Sequence, residues 1–126
     1  MVKAVFPGTF DPIHYGHIDI ATRASRIFDE VVIAVYDRPL KSLLFSPDER
    51  LGMVRQAFVN TPHISVTGYN NLTVDFCKSI DAQVIVRGLR VFSDFEHEFR
   101  MGKPGGFDYP PGMAEFIGHC QLYAVN

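Results

Sequence analysis

Two histidines stand three residues apart in the stretch FPGTFDPIHYGH, close to the start of the chain. His14 and His17 follow Gly8 and Thr9, which come directly after an apolar run. Side chains three apart lie on the same side of a helical turn, and a helix start offers N–H groups that favour an anion. We therefore expect two imidazoles and several amides to meet beside Thr9. Such preset donors suit a phosphate chain whose charge rises during reaction.

Two other interpretations of the histidine pair stay open at this point. A histidine is more often a structural or surface residue than a catalytic one. A zinc pair would need a third and a fourth ligand, and no suitably spaced cysteine or histidine accompanies these two. Cys77 and Cys120 lie far apart, so they predict neither a disulfide framework nor a zinc ribbon. The glycine-threonine context favours phosphate binding.

The segments that must position this loop alternate between strand and helix patterns. Short β-branched runs predict strands over Val2–Phe6, Val31–Tyr36, Ile64–Thr67 and Gln83–Arg87. Helices are predicted from about Gly16 to Phe28, from a Ser46–Glu49 capping box onward, and from Thr73 to Ile80. This alternation, with short loops, predicts an α/β, Rossmann-like parallel sheet with helices on both faces. Such sheets bind ligands at the carboxyl ends of their strands.

Polar residues collect in the loops that follow the four predicted strands. These loops hold Gly8 and Thr9, Asp37 to Lys41, Asn70 to Thr73, and Arg87 to Arg90. Because the carboxyl ends of parallel strands share one edge of the sheet, we expect all four loops to line one rim. Within them, Thr73 is open to a second interpretation as the cap of the third helix. Asp11 is interpreted as a brace for its loop rather than a base.

The last quarter of the chain has a different character. A fourth helix is predicted to begin at Ser93, where Ser93 and Glu96 form a capping box. Seven of the twelve residues from Met101 to Gly112 are glycine or proline, which predicts neither a helix nor an interior strand there. Residues 113–126 fit a short strand and a short helix equally well.

Composition limits the classes of protein to which the chain can belong. Its 126 residues, 47% hydrophobic, suffice for one compact core but not for two ordinary domains, so a single domain over residues 1–126 is expected. A formal charge of -2 gives no general attraction to nucleic acid. No long apolar run predicts a membrane span or a signal peptide, so we expect no membrane partner and a cytoplasmic location.

Two motifs carry a resemblance to a known family. The residues GTFDPIHYGH resemble the nucleotidyltransferase signature with its HxGH core. Together with RGLRVFSDFEHEF, they are similar to the bacterial phosphopantetheine adenylyltransferase family, over about residues 1–101. The resemblance implies transfer of AMP from ATP to 4'-phosphopantetheine, giving dephospho-coenzyme A and pyrophosphate. It also implies assembly as a hexamer.

The same resemblance implies roles for individual residues. It makes His17, Lys41 and Arg90 the catalytic residues. The nucleotide would be bound by Thr9, Phe10, His17, Gly88, Leu89, Arg90 and Glu98. The phosphopantetheine would be bound by Thr9, Lys41, Thr73 and Arg87. Mg²⁺ is expected to bridge the leaving phosphates, and no carboxylate cage that would hold it is visible in the sequence.

The resemblance stops after about Met101. The family continues with a helix, a strand and a serine-rich loop over the ATP phosphates, whereas residues 102–126 form a divergent tail without that loop. One hypothesis is a frameshift or a truncation, which the coding DNA read in all three frames would test. Two alternatives stay open: a non-catalytic binder of phosphopantetheine or nucleotide, and another small-molecule nucleotidyltransferase.

Overall fold

The computed structural model describes residues 1–38, 42–88, 103–104 and 121–125. Its elements are β1 (Lys3–Gly8), α1 (Tyr15–Ser25), β2 (Glu30–Tyr36), α2 (Pro47–Ala57), β3 (Ile64–Tyr69), α3 (Thr73–Ser79), β4 (Val84–Arg87), β5 (Lys103–Pro104) and β6 (Gln121–Ala124). Several predicted features lie outside the described residues: Lys41, Leu89, Arg90, Glu98, Cys120 and the helix expected at Ser93.

The strands form one sheet in the order β3-β2-β1-β4-β6-β5. The strands β1 to β4 are parallel, while β6 runs antiparallel to both β4 and β5. The predicted α/β, Rossmann-like fold is confirmed, with an antiparallel edge that the sequence analysis did not predict. Antiparallel edge strands are common on otherwise parallel sheets.

The open question about residues 113–126 is answered in favour of a strand for Gln121–Ala124. Leu122 and Tyr123 are both buried although they are neighbours, so this strand is covered on both faces. Because its apolar residues do not alternate with polar ones, periodicity could not distinguish it from a short helix. The described part of the glycine- and proline-rich segment is Lys103–Pro104, which lies at the sheet edge, where proline is tolerated.

Helices cover both faces of the sheet, as predicted. Ala24 of α1 and Val54 of α2 pack on one face, against a cluster that includes Phe6 and Ile33. Cys77 of α3 packs on the other face with Val5, Ile85 and Tyr123. The central strands are therefore buried on both sides and consist of nearly continuous apolar runs.

The helix boundaries follow local capping signals. Ser46 caps α2: its hydroxyl accepts from the Glu49 N–H at 3.2 Å, and the Glu49 carboxylate accepts from the Ser46 N–H at 3.0 Å. These bonds lower the pKa of Glu49 and confirm the predicted capping box. The predicted end of α1 at Phe28 is wrong, since the helix ends at Ser25. Phe28 continues the buried face from a turn, where its N–H donates to the Ala24 carbonyl at 2.9 Å.

None of the helices in the described ranges is long and apolar enough to cross a membrane.

Cys77 offers a direct check of this packing. Its thiol is buried and free, and burial raises its pKa to about 12. In a Cys120→Ser background, we expect no reaction with a thiol-disulfide reagent at about pH 8 until urea unfolds the protein, because the thiolate is the reactive form. Equal reaction rates in the folded and unfolded protein would contradict this packing. The pKa of Cys77 in the folded protein exceeds the unfolded value of about 8.5. The free energy of unfolding should therefore decline as the pH rises from about 8.5 towards 12, because the unfolded chain loses the thiol proton first.

Candidate active site

A cleft of about 440 Å³ opens at the carboxyl ends of β1 and β4. Five of the predicted site residues line this cleft, as does His14. The five are Thr9, Phe10, His17, Arg87 and Gly88. The histidine loop and the end of β4 meet here because β1 and β4 are adjacent parallel strands.

The described part of the predicted rim holds two cavities, and the segment between β2 and α2 contributes to both, since its Ser42 and Leu43 line the cleft. Asp37 and Asn70, from the loops after β2 and β3, line a second cavity of about 290 Å³, whose wall also contains Pro47 and Asp48 of α2. The loop after β3 stands two strands away from β1 in the sheet, which corresponds to roughly 10 Å. This spacing separates it from the histidine loop, although both lie at the same edge.

Thr73 lies outside the residues that line either cavity. The prediction that it caps α3 is wrong: the N-cap is Leu72, without a side-chain cap bond, and Thr73 is already the first helical residue. Its hydroxyl instead shares a hydrogen bond of 2.8 Å with the Tyr69 hydroxyl. Burial raises the pKa of Tyr69, and the bond to Thr73 opposes that rise.

The two histidines form an unusual reciprocal cap at the start of α1. His14 is the N-cap, and its Nδ1 accepts from the Gly16 N–H at 3.1 Å. Nδ1 of His17 accepts from the His14 N–H at 3.1 Å. The two rings stack with centroids 3.7 Å apart, so the prediction that they share one side is confirmed. The expectation of free amides at the helix start is wrong at Gly16, because His14 occupies that donor.

This cap determines which atom of His17 can donate. Since Nδ1 accepts a hydrogen bond, the neutral ring carries its proton on Nε2. The ring of Phe10 packs edge-on against the imidazole, with centroids 4.8 Å apart. Fixed at Nδ1 and packed against Phe10, the imidazole can donate to a phosphate oxygen only through Nε2.

The loop between the two histidines and β1 has a constrained backbone. Phe10 has a φ of 51°, in the left-handed region, while the residue is 3% exposed and its ring packs edge-on against Phe6. A Cβ added at Gly8 would lie 2.9 Å from the Phe10 ring, so only glycine leaves room for that ring. A non-glycine residue in this region costs about 1–2 kcal/mol, and such conformations cluster at functional sites.

Arg87 and Gly88 close the opposite wall of the cleft. Arg87 is the last residue of β4, and its Nη1 donates to the Pro7 carbonyl at 2.8 Å. The guanidinium is thereby held across the end of β1. A Cβ at Gly88 would lie 2.8 Å from Cδ1 of Ile20, so this glycine allows α1 to approach the end of β4.

Two further residues hold the loops that form the cleft. Asp11 accepts from the Leu44 N–H at 2.7 Å and from the Phe45 N–H at 2.9 Å, which confirms its interpretation as a brace. Sequence reasoning missed Arg50, which is fully buried and donates to backbone carbonyls around the cleft. The sequence did contain a sign of this burial: Arg50 lies four residues before Val54, so the two share the apolar face of α2.

The described side chains that line the cleft do not form a metal cage. Among the residues the structure describes, no group of three or more histidine, cysteine or carboxylate side chains could hold an ion. Both Asp11 oxygens already accept backbone N–H groups, and Nδ1 of each histidine is used in the cap. With respect to the described residues, a Mg²⁺ ion that enters with a bound nucleotide would be held by phosphates and water.

Comparison with known proteins agrees with these features. Residues 5–105 match the model of the cytidylyltransferase-like family. A phosphopantetheine adenylyltransferase from Roseiflexus castenholzii is 53% identical over 103 residues, which are 82% of this chain and 64% of the relative. One from Chloroflexus aggregans is 54% identical over 100 residues, 79% of this chain and 62% of the relative.

The chain thus spans less than two thirds of the length of these two relatives. A protein of the same name from Dictyoglomus turgidum is 44% identical over 117 residues, which cover 93% of this chain and 73% of the relative. The resemblance predicted from the two motifs is confirmed by these matches. The chain therefore belongs to the cytidylyltransferase-like family, among its phosphopantetheine adenylyltransferases.

Proposed function

We propose that this chain transfers the adenylyl group of ATP to 4'-phosphopantetheine, giving dephospho-coenzyme A and pyrophosphate. The observation that carries the proposal is one cleft that contains an Nε2–H donor at His17, a guanidinium at Arg87 and the constrained loop of Thr9 and Phe10. The names of the relatives supply phosphopantetheine as the acceptor and the adenylyl group as the part transferred, and the family resemblance implies ATP as the donor.

The chemistry needs little covalent help from the protein. A phosphate oxygen of the acceptor attacks the α-phosphorus of ATP, and the bond from that phosphorus to the α,β-bridging oxygen breaks. The electron pair of the broken bond leaves with pyrophosphate. Because the attacking phosphate is already ionised, no base has to remove a proton. Positioning and charge neutralisation can carry such a transfer.

The described residues divide between the two substrates in this proposal. His17 would donate from Nε2 to the ATP phosphates, the backbone of Phe10 and Gly88 would contact the nucleotide, and Thr9 would contact both substrates. Arg87 would bind the phosphate of the acceptor through its forked donors. The residues Lys41, Thr73, Leu89, Arg90 and Glu98 keep the roles that the family resemblance implies.

Magnesium enters the proposal as part of the substrate. ATP would bind as its Mg²⁺ complex, and the ion would offset negative charge on the phosphates. A cytoplasmic location is part of the same proposal, as is assembly into hexamers, which rests on the resemblance alone.

The test is an assay of the purified chain with ATP, Mg²⁺ and 4'-phosphopantetheine. We expect pyrophosphate release together with dephospho-coenzyme A detected by mass spectrometry, and neither product with pantetheine that lacks the phosphate. CTP in place of ATP should give no product. Turnover with nicotinamide mononucleotide but not with phosphopantetheine would assign a different nucleotidyltransferase. Saturable binding of both substrates without turnover would make the chain a binding protein.

A further inference from the structure

Arg50 is a fully buried cation, 0% exposed, at the start of α2. Its guanidinium donates to four backbone carbonyls: Nε to Phe45 at 3.2 Å, Nη1 to Thr9 at 2.9 Å and to Tyr36 at 2.7 Å, and Nη2 to Asp37 at 3.4 Å. These carbonyls belong to three separate segments, the loop after β1, the end of β2 and the segment before α2. One side chain therefore connects three parts of the strand-end region.

The charge of Arg50 has carbonyl partners but no carboxylate partner among the described residues. The ion pairs found in that part of the chain are Lys3 with Glu30 and Arg23 with Asp19. Carbonyl dipoles satisfy the N–H groups of a guanidinium without cancelling its charge. A buried charge is screened less than an exposed one, so its field reaches neighbouring groups.

The bond to Thr9 also sets the direction of the next amide. The carbonyl of Thr9 and the N–H of Phe10 belong to one trans peptide plane, in which they point to opposite sides. With the carbonyl held by Arg50, the Phe10 N–H points away from the guanidinium. Thr9 and Phe10 both line the cleft, whereas Arg50 lies behind them.

We propose that Arg50 is a positioning residue for nucleotide phosphates. Its bond to Thr9 holds the left-handed conformation of Phe10 and presents the Phe10 N–H to a phosphate oxygen. Its bonds to Tyr36 and Asp37 tie that loop to the segment after β2. The inference deepens the proposed function and rests on it for the identity of the ligand, although phosphate recognition can be measured without turnover.

The test compares Arg50→Lys with the unchanged chain. Lysine keeps the charge, but its donors share a single nitrogen and cannot span the three segments. We expect the dissociation constants for Mg-ATP and for inorganic tripolyphosphate, measured by calorimetry, to rise roughly tenfold, which corresponds to one lost charge-assisted hydrogen bond. The dissociation constant for adenosine should stay the same, since adenosine has no phosphate. Arg55→Met, an exposed position on the same helix, is the matched control and should change none of these values.

A purely structural role for Arg50 predicts a different result. It would lower the melting temperature while leaving tripolyphosphate affinity unchanged in the folded fraction, or would weaken adenosine and ATP equally; either outcome overturns the proposal. If Arg50→Lys does not fold, the proposal can be tested on the unchanged chain. Tripolyphosphate should shift the amide NMR signal of Phe10, and binding without such a shift overturns the proposal.

The same experiment separates this inference from the proposed function. If the unchanged chain transfers the adenylyl group normally and Arg50→Lys does not change phosphate affinity, only the inference about Arg50 is contradicted. If tripolyphosphate binding depends on Arg50 but the chain does not turn over phosphopantetheine, only the proposed function is contradicted.

Discussion

Replacing His17 with asparagine is expected to lower turnover by roughly a hundredfold to a thousandfold, the usual cost of one donor to a developing phosphate charge. The amide oxygen of asparagine can occupy the position of Nδ1 and accept from the His14 N–H, so the helix cap should survive. What the variant lacks is a donor at the position of Nε2. The measurement is kcat and KM for pyrophosphate release, with the melting temperature as a check on folding.

A glutamine at the same position provides the complementary comparison. Its amide nitrogen reaches the position of Nε2, so His17→Gln should retain more activity than His17→Asn, while its cap is poorer. His14→Asn is the matched control: asparagine is a good N-cap, so α1 should begin as before, and only the stacked ring is lost. We expect a smaller loss of turnover there. Full activity of His17→Asn would show that Nε2 takes no part in the reaction.

Replacing Arg87 with methionine is expected to raise the KM for 4'-phosphopantetheine roughly tenfold to a hundredfold, the effect of losing hydrogen bonds to a charged group. The KM for ATP should change little, because Arg87 is proposed to bind the acceptor phosphate. For Arg87→Lys, we expect a KM for 4'-phosphopantetheine between those of the unchanged chain and Arg87→Met, since lysine keeps the charge but loses the forked donors. Steady-state kinetics with each substrate varied in turn would measure this separation.

Lys78→Met is a suitable control for the charge change, because Lys78 is exposed on α3 outside the residues that line the cleft. It should leave both KM values unchanged. The opposite pattern for Arg87→Met, a raised KM for ATP with phosphopantetheine unaffected, would reassign Arg87 to the nucleotide.

Sequence patterns anticipated the local features of this molecule well. The reciprocal bonds of Ser46 and Glu49 were predicted because a capping box lies within four neighbouring residues. The shared side of His14 and His17 followed from helical spacing alone. The alternative interpretation of Thr73 as the cap of α3 was wrong, since a cap and a first helical residue fit the same short pattern.

By itself, the sequence determined the alternation of strands and helices, the main helix cap and the family, because periodicity, caps and motifs are contained within short segments. Only the tertiary structure decided the burial of Arg50, whose bond to Thr9 joins residues 41 positions apart. It also decided the left-handed backbone of Phe10 and the antiparallel pairing of β6 with β4. These features depend on contacts between distant segments, and no local pattern contains the energy of such contacts.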